Sequence, residues 1–278
     1  MSEEMMSRRN FLGAAGAVLG LAAVPLLASA AAPATATAVT TAPVALPWPY
    51  AHLDAETIGR RAYELYYLQG GCAEATWYPI IEALSADNPT TWGTLPKKMF
   101  GFGGGGVNAW GTLCGTCNGS AAIIKMVIQT AAGGTLIDND FQYYSETPLP
   151  TNGIDKAVRT GWTPATGVPA PIPNVPTSTA HSPLCHVSLT QWMATTGATD
   201  GSAQQKDRCA KACYDMAKHT VELLNDYFAT PSVTDSAALD ASYVGCVTNG
   251  CHSKAGIAEH GKMACDSCHD EPIDHSTD

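Results

Sequence analysis

The feature that most constrains this chain is a Cys-x-x-Cys-His motif near its C-terminus, Cys265-Asp-Ser-Cys268-His269. Two thiols at this spacing can reach the two vinyl groups of one porphyrin, and the imidazole that follows can ligate the iron. A single copy could instead be half of a zinc site. The second cysteine of a related motif lies only fourteen residues upstream of Cys265, which argues against zinc. We therefore expect a covalently bound haem c at this position.

The upstream motif is Cys246-Val-Thr-Asn-Gly-Cys251-His252, in which four residues rather than two separate the thiols. Longer Cys-x4-Cys-His spacing occurs among bacterial multihaem proteins, so we predict a second covalent haem c here, with His252 and His269 as proximal ligands. Two irons also need distal ligands, and proximity in sequence favours His260 and His275. The next candidates are His186 and His52, and the remaining histidines are His181 and His219.

The N-terminus has the features of an export signal. Ser7-Arg8-Arg9-Asn10-Phe11-Leu12 is a twin-arginine pattern, a Gly/Ala-rich apolar run follows, and Ala28-Ser29-Ala30 matches a small-x-small cleavage site. We predict that residues 1–30 are removed and that the mature protein is periplasmic, where c-type haems are attached. An uncleaved anchor is the alternative, but this run is short and diluted for a membrane span, and no other stretch could cross a bilayer.

Twin-arginine export predicts a second cofactor. The pathway moves folded proteins, usually because a cofactor is inserted before export, whereas haem c is attached afterwards. Six cysteines remain outside the haem motifs, and thiols in this number suit an iron–sulfur cluster, disulfides with buried thiols, or zinc. Spacing alone does not choose among these. The six are Cys72, Cys114, Cys117, Cys185, Cys209 and Cys213.

The hydrophobic pattern predicts a mainly α-helical protein. The clearest helix covers 204–228, where Cys209, Cys213, Met216 and Thr220 recur on one face, so both thiols should point inward. Other helices are expected at 54–69, with Asp54 as N-cap, from 72 to about 84, and at 120–130. A glycine-rich turn at 101–111 should pack closely around a cluster, and the proline-rich stretch 148–183 should be an irregular arm. The predicted domains are a linker at 31–49, a helical domain at 50–232 and a loop-rich dihaem segment at 233–278.

Charge separates the classes of partner. The net charge is −10, and eight acidic residues lie between positions 235 and 278 against only Lys254 and Lys262. Such a segment suits a basic partner protein and does not suit nucleic acid.

Several motifs together resemble one known family. They are Gly71-Cys72-Ala73, the stretch from Gly106 to Gly119, Ser182-Pro-Leu-Cys185-His-Val-Ser-Leu, Arg208-Cys209-Ala-Lys and the stretch from Gly261 to His269. In this order, with the twin-arginine start, they are similar to the split-Soret cytochrome c family, whose helical body is similar to the group named for a Cys…Gly-Cys-Ala…Gly…Cys…Cys pattern.

The resemblance implies a homodimer with two bis-histidine haems per subunit near the dimer interface. It also implies an iron–sulfur cluster, of the 2Fe–2S type, in each helical body, with Cys72, Cys114, Cys185 and Cys209 at the family positions. Cys117 and Cys213 are extra cysteines, each one turn from a matched one. With six-coordinate irons we expect outer-sphere electron transfer and no catalytic residues. The alternatives are a reductase of a small oxyanion such as nitrite at an open haem, a cluster-based redox sensor, and a subunit of a larger respiratory complex.

Overall fold

The computed structural model describes residues 44–235. The predicted signal peptide, most of the linker and the haem motifs lie outside this range, as do His260 and His275. Within it the protein is helical, with two isolated bridges and no strand, which confirms the mainly α prediction for this part of the chain. The helices are α1 (Ala55–Leu65), α2 (Cys72–Asp87), α3 (Gly115–Val127), α4 (Ala131–Glu146), α5 (Gly153–Arg159), α6 (Cys185–Thr196) and α7 (Ala203–Ala229).

Helix α7 forms the centre of the body, and helices α1 to α5 pack against it. Its inward face is apolar, as the sequence predicted, with Cys213, Met216, Val221 and Leu224 fully buried. Burying side chains of this size stabilises the fold by about 1.5–3 kcal/mol each. Although α7 is 27 residues long, none of the helices in the described range is both long and apolar enough to cross a membrane.

The first two helices begin where the sequence predicted. The Asp54 carboxylate accepts a hydrogen bond of 2.6 Å from the Thr57 amide and caps α1. After α1 the chain makes one π-helical turn, Tyr66–Gly70, and Gly71 then adopts a φ of 91°. This left-handed residue ends the turn and allows Cys72 to begin a new helix.

Three helices were not predicted, and a fourth begins earlier than expected. Helix α3 starts at Gly115 rather than at Ser120, and α5 occupies part of the predicted irregular arm. Helix α4, which contains two glycines, and the short helix α6 lack a clear helical pattern in the sequence. Tertiary packing overrides weak propensity in these segments. For example, Tyr144 of α4 and Trp192 of α6 are fully buried.

The rest of the proline-rich arm is fixed to α7 by a buried lysine. Lys211 Nζ lies 2.7 Å from Asp155 Oδ1 and 3.3 Å from Asp207 Oδ2, and it donates a hydrogen bond of 2.6 Å to the Ile172 carbonyl. The same carboxylates also accept hydrogen bonds from the backbone of the arm, Asp207 from Ile172 N and Asp155 from Asn174 N. The arm is therefore irregular, as predicted, but it is held by a buried network of one lysine and two hydrogen-bonded carboxylates.

Candidate metal centre

Four cysteines that are distant in sequence meet inside the helical body. The Cys72 thiol is within hydrogen-bonding reach of Cys114 and Cys209, and Cys114 is also within reach of Cys185. All six cysteines in the described range are free thiols, so disulfides do not account for them. Cys72, Cys114 and Cys209 are buried, whereas Cys185 is partly exposed. The structure thus brings together the four positions that the family resemblance assigned.

Helix ends position three of these thiols. Cys72 and Cys185 are the first residues of α2 and α6, and Cys114 is the N-cap of α3. The N-terminus of a helix carries a partial positive charge and amide groups without intrahelical partners, so it favours thiolates. Cys209 is different because it lies within α7. Three positive helix ends therefore converge on one side of a single central helix.

The approach of α2 to α3 depends on two glycines one helical turn apart. A Cβ at Gly115 would collide with the Gly103 carbonyl oxygen and would lie 2.7 Å from the Ala73 nitrogen and 2.9 Å from Cys72 Cβ. A Cβ at Gly119 would lie 2.6 Å from the Ala73 carbonyl oxygen. The Gly-x-x-x-Gly spacing, Gly115 to Gly119, is visible in the sequence and could have predicted this contact. It is what allows Cys72 and Cys114 to touch.

A left-handed loop covers the thiols. Five consecutive residues, 105 to 109, have φ values between 49° and 67°, including the β-branched Val107 at 60°. Such a conformation costs roughly 1–2 kcal/mol for each residue that is not glycine. The loop contacts the site closely, because a Cβ at Gly106 would lie 2.8 Å from Cys185 Cβ. This confirms the predicted close packing of the glycine-rich turn.

A buried carboxylate anchors the start of this loop. Glu74, in the first turn of α2, accepts hydrogen bonds of 2.7 Å from Lys98 N and 2.9 Å from Phe100 N. Its side chain is almost fully buried, at 1% exposure. The residue that follows Cys72 and Ala73 thus connects the helix carrying one thiol to the loop that covers the others.

Hydrogen bonds divide the thiols into two kinds. Contacts with Cys185 and then Cys72 lower the pKa of Cys114 well below its ordinary value. A hydrogen bond from Cys72, opposed by burial and assisted by Arg208, lowers the pKa of Cys209 to about 6. The donors change in the opposite direction, and the pKa of Cys72 is raised by its contacts with Cys114 and Cys209. Thiolate character is therefore concentrated on Cys114 and Cys209.

Arg208 is the buried positive charge beside these thiols. Burial opposes its charged form, but nearby Tyr144, Cys209 and Cys114 raise its pKa, so it remains a cation. One guanidinium nitrogen donates a hydrogen bond of 2.6 Å to Ser188 Oγ. The guanidinium can offset part of the negative charge of ligating thiolates.

Buried donors without partners test whether the site fits a sulfur-rich group. Thr76 Oγ1, Tyr144 OH and Arg208 Nε are buried and lack a hydrogen-bond partner of good geometry. Each is nevertheless close enough to a thiol to perturb it, namely Cys213, Cys114 and Cys209 respectively. Unpaired buried donors are rare in folded proteins. Sulfur acceptors at this place would satisfy them, so the residues fit an iron–sulfur cluster.

A single metal ion fits the site less well. Among residues 44–235, no three thiol, imidazole or carboxylate groups already surround one point as ligands of an ion would. The thiols instead contact one another in succession, from Cys185 through Cys114 and Cys72 to Cys209. A group of several atoms can bridge such a row, whereas a zinc ion needs its ligands about 2.3 Å from one centre.

The two extra cysteines have different surroundings, which the sequence left undecided. The Cys213 thiol is within reach of the Cys72 thiol and lies 3.8 Å from the Cys72 carbonyl oxygen. Cys117 packs in a small apolar cluster that also contains Cys114, Tyr144 and Met216, but it is not among the thiols within reach of Cys72. Burial raises the pKa of both thiols. Cys213 therefore belongs to the cysteine cluster, and Cys117 lies beside it.

Of the histidines in the described range, His186 is the one next to a thiol in sequence, and the others lie apart from the thiols. His52, His181 and His186 are exposed, and His181 Nδ1 lies 3.0 Å from Glu146 Oε2. His219 is stacked on Tyr143 with ring centres 3.8 Å apart, and burial lowers its pKa to about 4. His186 follows Cys185 directly. His260 and His275, the favoured distal ligands, lie outside the described residues.

Comparison with known proteins identifies relatives of this chain. The model of the family described as "Putative redox-active protein (C_GCAxxG_C_C)" matches residues 71–226, which include all six cysteines of the helical body. A split-Soret cytochrome c from Desulfovibrio desulfuricans is 27% identical over 93% of this chain and 90% of that protein. A solved structure of split-Soret cytochrome c from D. desulfuricans, described as having a novel iron centre, superposes with a TM-score of 0.68 at 25% identity. It covers 83% of this chain and 92% of the other.

Proposed function

The chain belongs to the C_GCAxxG_C_C family and is a relative of split-Soret cytochrome c, and on this premise we propose that it is a periplasmic dihaem electron carrier with an iron–sulfur relay. A redox role in electron transfer follows from the family and from the cytochrome relative. The finer assignment depends on one observation above all. Four thiols from four helices meet in a buried, positively polarised site that no disulfide uses.

Cys72, Cys114, Cys185 and Cys209 would hold a 2Fe–2S cluster, which supplies a one-electron redox centre when it is bound. The chain's own residues prepare the place for it. Three helix N-termini and Arg208 favour the thiolate ligands. The left-handed loop packs against Cys185, and Glu74 anchors the segment that leads into this loop. Cys185 is partly exposed, whereas the other three thiols are buried, so Cys185 is the thiol nearest to solvent.

The haem segment would exchange electrons with other proteins. Cys246, Cys251, Cys265 and Cys268 would attach two haems, with His252 and His269 as proximal ligands and His260 and His275 as distal ligands. A segment this short cannot shield two porphyrins by itself, which supports a homodimer. Its eight acidic residues against two lysines favour a partner with a basic docking surface. The twin-arginine pattern supports export to the periplasm.

Spectroscopy and metal analysis of the full-length protein test this assignment. The protein would be matured with the haem-attachment machinery, and haem, non-haem iron and acid-labile sulfide would be counted per chain. We expect two haems, unchanged by carbon monoxide in the reduced state, together with two non-haem irons and two sulfides. Binding of carbon monoxide would favour the oxyanion reductase instead, and absence of sulfide would refute the cluster.

A further inference from the structure

Helix α7 presents two thiols to the same partner. Cys209 and Cys213 lie four residues apart, which places them on one face one turn apart. Each is within hydrogen-bonding reach of the Cys72 thiol. Both are buried, at 7% and 0% exposure. The site therefore contains one more contacting thiol than four cluster ligands require.

The second position on α7 also has a hydrogen-bond donor that could serve a bound sulfur. Thr76 Oγ1 is buried without a partner of good geometry and lies beside the Cys213 thiol. Arg208 Nε is likewise buried without a partner of good geometry and lies beside the Cys209 thiol. The two thiols thus have separate donors: Thr76 lies beside Cys213, whereas Cys209 has the cationic Arg208 and accepts a hydrogen bond of 3.3 Å from Gln205 Nε2. Cys117 is equally buried and equally outside the family pattern, and it packs in one apolar cluster with Cys114, but it is not among the thiols that contact Cys72.

We propose that Cys213 is an alternative ligand of the same centre and can replace Cys209 in holding an iron–sulfur cluster. The inference depends on the proposed cluster, which supplies the metal. Cys72, Cys114 and Cys185 are fixed by the starts of their helices, and α7 offers two thiols, Cys209 and Cys213, that both contact Cys72. In the exchange the Cys213 thiol gives up its proton and would bind as a thiolate, while the displaced Cys209 thiolate takes up a proton, so neither the proton count nor the oxidation state changes.

Coordination by Cys213 has a recognisable signature. The Arg208 guanidinium lies beside Cys209, so a cluster held through Cys213 loses a cationic hydrogen-bond donor at its ligand sulfur. Positive charge and hydrogen bonds at ligand sulfurs raise the reduction potential of iron–sulfur clusters. The exchanged centre should therefore have a more negative midpoint potential and altered EPR g values.

The experiment compares variants of the full-length, haem-loaded protein. They are Cys209→Ala, Cys213→Ala, the double variant Cys209→Ala/Cys213→Ala, and Cys117→Ala as the matched control for loss of a buried thiol. Non-haem iron and acid-labile sulfide are measured per chain, and the reduced cluster is examined by EPR. Haem content and the circular dichroism of the helices report whether each variant has folded. Cys209→Ser, which preserves the side-chain volume, is included in case the alanine variant does not fold.

We expect Cys213→Ala and Cys117→Ala to match the wild type in iron, sulfide and g values. Cys209→Ala should keep about half or more of the cluster with shifted g values, and the double variant should keep less than about one tenth. A folded Cys209→Ala or Cys209→Ser protein as empty as the double variant would overturn the proposal. A wild-type protein without iron and sulfide would refute the cluster itself and this proposal with it, so the two failures are distinguishable.

Discussion

Replacing Gly115 with alanine should separate α2 from α3 and disrupt the cysteine cluster. The added methyl group would collide with backbone atoms of Gly103 and Ala73. Neither can move away as the end of a flexible side chain could. Overpacking of this kind costs about 1–3 kcal/mol, and we expect the upper part of that range because the helix backbones themselves must shift. For a body of this size, the cost corresponds to a fall in melting temperature of roughly 4–12 °C.

Gly134→Ala is the matched control, since Gly134 also lies near the start of a helix but has open space where its Cβ would be. Helix propensity predicts a gain of about 0.5–1 kcal/mol there. Melting temperature and non-haem iron would be measured for both full-length variants. Gly115→Ala should melt earlier and contain less iron, and Gly134→Ala should do neither. A Gly115→Ala protein with the stability and iron of the wild type would refute the argument that this glycine sets the approach of Cys72 to Cys114.

Three further predictions concern buried charges. Burial raises the pKa of Asp140 to about 7, above its unfolded value near 4, so its contribution to stability is present below about pH 4 and is lost as the pH rises through 7. Between those pH values the free energy of unfolding of the wild type, measured with denaturant, should fall by up to about 4 kcal/mol relative to that of Asp140→Asn. Parallel pH profiles of the two proteins would contradict this. Lys211→Met should lower the stability by about 3–5 kcal/mol, because two carboxylates lose their buried partner, and the backbone amides of the arm at 165–180 should then exchange faster. Lys218→Met, whose ion pair lies at the surface, should lower it by less than about 1 kcal/mol. Equal losses for the two lysines would show that burial of the pair does not matter. Arg208→Gln should make the midpoint potential of the cluster more negative at unchanged iron content, as followed by redox titration, and an unchanged potential would show that the guanidinium does not act on the centre.

The sequence predicted much of the helical framework because its signals there are local. Asp54 and Gly70-Gly71 mark the two ends of the first helical segment, and the apolar face of α7 repeats at three and four residues over its whole length. Helices α4 and α6 escaped prediction because their stability comes from buried residues such as Tyr144 and Trp192, which contact distant segments. No local pattern carries that information.

The candidate site was predicted in part, from the positions of its cysteines along the chain. Family positions selected Cys72, Cys114, Cys185 and Cys209, and the structure brings these four together. Spacing could not separate Cys213 from Cys117, since both are one turn from a matched cysteine. Only the packing of α7 against α2 distinguishes them. The buried donors Thr76, Tyr144 and Arg208 have no sequence pattern that would have identified them.

The distribution of the thiols along the chain also links a group bound to them to folding. The four cysteines are separated by 42, 71 and 24 residues and meet only when α2, α3, α6 and α7 are in place. A group bound to all four would act as a cross-link that closes three long loops and lowers the entropy of the unfolded chain, as disulfides do by roughly 3–5 kcal/mol for loops of this length. Insertion of such a group would be coupled to folding, because the four thiols meet only in the folded chain, and the cross-linked unfolded chain would no longer be a linear polymer. A protein tied in this way suits an export route that accepts only finished structures.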